Sequence, residues 1–150
     1  MKLAEALILR ADLQKRLLQL RERLELNARV QEGEQPAEDP AALLKELDAL
    51  LAEQEDLIRR INLTNARTEA GGELLTALLA RRDCLTEKIS MLRDFLNTAS
   101  NITGRTSRME IKIHSTVPVA ELRKQVDSLS KQLRELDIRI QSANWTAELQ

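Results

Sequence analysis

The 150-residue chain carries 23 basic and 24 acidic side chains, a formal net charge of −1, one cysteine and one histidine, and only 1% aromatic residues. That balance gives no bulk electrostatic reason to expect nucleic acid or anionic lipid as a partner, and a lone thiol closes no internal disulfide. The length suits a single helical domain, 1–150, with no apolar run long enough to cross a bilayer, so a cytoplasmic protein without a membrane partner is expected.

The first predicted element is a helix over about 3–28, because Leu3, Ala6, Leu13, Leu17, Leu20 and Leu24 recur three and four residues apart and share one face. Gly33, Pro36 and Pro40 then mark a loop, and Asp39 before Pro40 is a good helix start: the carboxylate accepts a free backbone N–H and proline lacks one. A second helix, 40–66, carries Leu43, Leu47, Leu50, Leu57 and Ile61. Gly71 and Gly72 break the pattern before a third helix, 73–100, with Leu75, Leu78, Leu85, Ile89, Leu92 and Leu96.

Residues 101–108 are polar around Gly104, and the period then changes. Met109, Ile111 and Ile113 alternate with Glu110, Lys112 and His114, the two-residue repeat of a half-buried strand. Such a strand over 109–114 requires a partner, either the segment around Val30 or its own copy in another subunit. A fourth helix, 117–142, carries Val119, Leu122, Val126, Leu129, Leu133, Leu136 and Ile140, with Trp145 in a short tail. The expected fold is therefore all-α: four long amphipathic helices as two antiparallel hairpins, bundle-like or coiled-coil-like, with one short β segment.

Few residues suggest chemistry. Arg10 and Arg82 occupy matching places inside apolar stripes, either pointing into a helix seam with acidic partners such as Asp12 and Asp83 or snorkelling to its edge. Arg105, Arg108, Lys112 and His114 form a small basic cluster able in principle to hold an anion, but neither phosphate-binding glycine motif accompanies it. With one histidine and one cysteine, no transition-metal set or nucleophile–base set is recognisable, so no catalytic residue, metal or cofactor is assigned. Cys84, beside Leu85, is expected to be a buried structural thiol.

Leu3-Ala-Glu-Ala-Leu with Arg10-Ala-Asp-Leu-Gln-Lys-Arg, Val30-Gln-Glu-Gly-Glu with Glu38-Asp39-Pro40, Ile61-Asn-Leu-Thr-Asn, Arg82-Asp83 and Asn144-Trp145 together resemble the septicolysin-like family of small bacterial proteins. The resemblance spans nearly the whole chain. It implies a helical, multimeric fold, a hexamer built from dimers, and through the family label a membrane-active cytolysin. The residues themselves point to a non-enzymatic, cytoplasmic homo-oligomeric scaffold or binding protein. The alternatives are the cytolysin and an anion- or nucleotide-binding protein using the basic loop 105–114.

Overall fold

The computed structural model describes residues 1–102 and 111–150. Its elements are α1 (Leu3–Leu26), α2 (Pro40–Arg67), β1 (Glu69–Ala70), β2 (Glu73–Leu74), α3 (Leu75–Ser100) and α4 (Val119–Thr146). The architecture is all-α, with β1 and β2 paired as a small two-stranded sheet.

All four helices follow one spacing rule. In α1 the alternating three- and four-residue steps run Leu3, Ala6, Arg10, Leu13, Leu17, Leu20 and Leu24, reaching Asn27 just past the helix end, and in α2 Leu43, Leu47, Leu50, Gln54, Leu57, Ile61, Thr64. Helix α3 repeats the α1 steps from Leu75 with Arg82 in the place of Arg10, and α4 runs from Val119 to Ala143 without a polar interruption. An average of about 3.5 residues lies close enough to the 3.6-residue turn to keep the row on one face for many turns.

The chain divides into two compact units, residues 1–69 with 142–150 and residues 70–141. In the first, α1 and α2 pack antiparallel, since Arg23 near the end of α1 bonds Glu46 near the start of α2 at 3.3 Å. Leu13 and Leu20 are completely buried, facing a core that includes Leu43, Leu50, Leu57 and Ile61. The N-terminus of α2 forms as the sequence predicts, with Asp39 accepting the Ala41 N–H at 3.1 Å and Pro40 in the first turn. At the other end of the hairpin, Leu3 N–H donates to Ala147 O at 3.0 Å and Gln150 N–H to the buried Thr64 Oγ1 at 3.0 Å.

In the second unit, α3 and α4 also run antiparallel. Arg93 meets Ser130 at 3.2 Å, and Arg139 meets Glu73, just before α3, at 3.0 Å. Among its described residues, Leu75, Leu78, Ile89, Leu96, Val126, Leu136 and Ile140 are buried. Gly71 and Gly72 have φ of 62° and 81°, the positive pair required by a tight two-residue hairpin turn between β1 and β2.

Three expectations are corrected. Among the described residues the β structure lies at 69–74, and residues 111–114 of the expected 109–114 strand are irregular and exposed, while 109 and 110 fall outside the described residues. Alternation signals only a strand's capacity for half-burial, whereas the glycine pair at 71–72 supplies the turn that closes a ladder. Trp145 belongs to α4, which runs to Thr146. Cys84 is exposed, because one residue from the seam position Leu85 is about 100° around the helix.

Candidate functional site

The seam between α1 and α2 is closed on one side and open on the other. Ala6, Leu13 and Leu20 of α1, Asn27 just past its end, and Leu43, Leu50, Leu57 and Thr64 of α2 are all buried. The companion row is only half-buried at Arg10, Leu17, Leu24, Leu47 and Gln54. It becomes buried at Leu3 and Ile61, toward the end bonded to residues 147–150.

Along the open side runs a groove of about 630 Å³, lined by Gln14, Leu17, Leu18, Arg21, Leu24, Glu25, Leu47, Leu51 and Gln54. Leu18 is 62% exposed and Leu51 47%. From Gln14 to Glu25 the groove spans roughly 16 Å, about three helical turns. Its middle is leucine; its ends are polar, with Gln14 and Gln54 at one and the Arg21–Glu25 ion pair, 3.1 Å, at the other.

Among the described residues, two seam atoms are buried without a hydrogen-bond partner, Arg10 Nε and Gln54 Oε1. A buried acceptor with no donor costs about 1 to 3 kcal/mol. Gln54 was not singled out in the sequence; the signal that finds it is its place in the seven-residue row between Leu47 and Ile61.

The remaining polar constellations brace the fold. Arg23 bonds Glu38 at 2.6 Å and Glu46 at 3.3 Å, and the hydrogen bond from Arg23 holds the Glu38 carboxyl below the ordinary value, against the opposing effect of burial. Asn27 completes the closure of the loop, donating to Arg23 O at 2.8 Å and accepting the Glu38 N–H at 2.9 Å. In the second unit Arg139 Nε donates to Ala70 O at 2.8 Å, and its Nη2 reaches Ala70 O, Gly71 O and Glu73. Hydrogen bonds from Arg81 and then Arg139 hold Glu73 low in the same way.

Among the described residues, those expected to carry chemistry do not gather into one site. Arg10 is half-buried in the α1–α2 seam while Asp12 is exposed, and among the described residues no ion pair joins them. Arg82 pairs with its neighbour Asp83 at 2.9 Å on the surface of α3. Lys112 and His114 are exposed, and Arg105 and Arg108 fall outside the described residues. Among the described residues, no three His, Cys, Asp or Glu side chains gather as metal ligands, and no helix is long and apolar enough to cross a membrane.

Residues 10–149 match a family of unknown function, DUF6847, and the chain belongs to that family. It is similar to a solved structure of a functionally unknown conserved protein from Corynebacterium diphtheriae, with 43% identity, a TM-score of 0.93, and coverage of 100% of this chain and 99% of that one. No curated protein matches. The septicolysin-like resemblance is thereby overturned: its short motifs are mostly the leucine-and-charge pattern of any amphipathic helix, and the match over 140 residues falls on a different family. Nothing supports a cytolytic function, and the hexamer inferred from that resemblance loses its basis.

Proposed function

We propose that this member of DUF6847 is a non-enzymatic, self-assembling helical protein whose α1–α2 groove packs against apolar helix surface of a second copy in the knobs-into-holes manner of a coiled coil. The observation that carries this reading is the half-open seam: a heptad row of leucines on both helices, left uncovered along three turns and flanked by the exposed Leu18 and Leu51. A two-helix hairpin covers one side of such a row, and a further helix covers the other. Exposed leucines grouped in this way mark an interaction surface more than scattered ones do. A cytoplasmic location agrees with the exposed free thiol of Cys84, which persists where the surroundings are reducing.

Light scattering coupled to size exclusion at micromolar concentration tests it. A multiple of the 17.0 kDa chain mass is expected. Leu18→Glu with Leu51→Glu should yield a folded monomer, because both side chains already reach solvent within one chain, at 62% and 47% exposure. A parent that elutes as a monomer, or an assembly indifferent to both substitutions, overturns the proposal.

A further inference from the structure

Residues 27–39 join α1 to α2 at one end of the hairpin; at the other, the start of α1 and the last turns of α2 are bridged by residues 147–150. Glu148 faces Lys2 in an antiparallel bridge, with Leu3 N–H donating to Ala147 O at 3.0 Å and Leu149 N–H to Met1 O at 2.8 Å. The Glu148 carboxylate also takes the Lys2 ammonium at 2.5 Å and the Met1 amine at 3.3 Å. Two residues on, Gln150 is seated on α2. Thr64 Oγ1 accepts its N–H at 3.0 Å, Arg60 Nε donates to its O at 2.9 Å, and Arg67 donates to its side-chain oxygen.

This strap and the seam beside it are held by different forces. The Lys2 and Glu148 side chains are 39% and 64% exposed, and ion pairs of that kind are weak and screened by salt. Leu13 and Leu20 are instead held by complete burial of apolar surface. A segment fastened by exposed polar contacts belongs to the part of a fold that opens locally while the core stays shut. Thr64 links the strap to its own helix: its hydroxyl donates to Arg60 O at 2.8 Å, and its O accepts the Thr68 N–H at 2.9 Å in the last turn of α2.

We infer that residues 147–150 are an ionic latch, opening and closing as one piece with the first turn of α1 and the last turn of α2, with the charge of Glu148 holding it closed. Opening returns the Leu3, Leu149 and Gln150 N–H groups to water and frees Lys2, Arg60 and Arg67 from their acceptors, while the row containing Leu13, Leu20, Leu50 and Leu57 stays packed. The chain leaves the first compact unit after Glu69 and re-enters it at Ser142, so the latch ties together the two segments that lead out of that unit. The device belongs to a single chain and stands apart from the self-assembly reading.

Hydrogen exchange followed residue by residue by NMR on the full chain tests it. Glu148→Gln should speed exchange of the Leu3, Leu149, Gln150 and Thr68 amides together, by about fivefold, the upper end of what an exposed ion pair supplies. The Leu13, Leu20 and Leu50 amides should keep their parent rates. Sodium chloride at about 1 M should speed the same four amides in the parent and add little in Glu148→Gln, where the screened charge is already gone. Thr64→Val, which keeps the side chain's volume and removes the acceptor for Gln150 N–H, should speed the Leu3 amide as well, although Leu3 lies on the other helix. Three results would overturn the latch: Leu3 unmoved by Thr64→Val, four amides that respond separately to Glu148→Gln or not at all, or seam amides that quicken by the same factor as the strap.

Discussion

Replacing Gly71 and Gly72 one at a time by alanine separates backbone strain from the contribution of Arg139. Both glycines hold positive φ, 62° and 81°, a region that costs an L-residue roughly 1 to 2 kcal/mol. A Cβ on Gly72 meets nothing within 4 Å, so Gly72→Ala should cost about that conformational penalty and no more. A Cβ on Gly71 lies 3.0 to 3.1 Å from Arg139 Nε, Cζ and Nη2, and the guanidinium must back away from the turn. That displacement loosens its bonds to Ala70 O, Gly71 O and Glu73. With Arg139 about one-third exposed, the loss is discounted to about 1 kcal/mol. Gly71→Ala should thus be destabilised by about 2 to 3 kcal/mol, the larger of the two effects. Urea denaturation followed by far-UV circular dichroism measures both, and an Arg139→Ala background should equalise them. Equal costs in the parent would refute the idea that Arg139 holds the turn.

Leu13→Ala, at a completely buried position, should cost about 2 to 5 kcal/mol in chemical denaturation, and a cost below 1 kcal/mol would show that the α1–α2 seam collapses around the cavity. Glu38 has a depressed pKa in the folded chain, so its contribution to stability is present above the ordinary value of 4.5 and lost as pH falls through the folded value. The parent should accordingly lose stability more steeply below pH 4.5 than Glu38→Gln does, and parallel profiles would show that the Arg23 pair is inert. Cys84, being exposed, should react with a maleimide nearly as fast in the native chain as in denaturant; strong native protection would instead place it inside an assembly interface.

The helices were legible because a heptad row needs no knowledge of its neighbours. Leu13 and Leu20, or Leu50 and Leu57, declare a buried face by spacing alone, and Asp39-Pro40 declares a helix start by its capping chemistry. What the row does not declare is which of its sides another element covers. Leu17 and Leu24 therefore read no differently from Leu13 and Leu20, although the structure leaves the first pair half-open. Gln54 stayed hidden for a related reason: a neutral amide resembles a solvated surface residue unless its place in the row is counted through the gap. The 69–74 hairpin has strands of two residues, too short for alternation to show, so only its glycine pair gave any sign. The basic cluster was conspicuous through composition, yet Lys112 and His114 extend into solvent where composition alone has no geometric consequence.

The closure of the first loop frees its interior from structural duty. Arg23, Asn27 and Glu38 fasten residues 27–39 at the base, where α1 ends and α2 begins, so helix pairing there does not depend on what lies between. Within it Gly33, at φ 88°, has open space around its Cβ position. Because loop-closure entropy grows only logarithmically, doubling the loop's length would add about 0.6 kcal/mol. The tip is a natural graft point, where a fluorophore-bearing peptide or a small foreign domain could be carried by the hairpin without disturbing either seam.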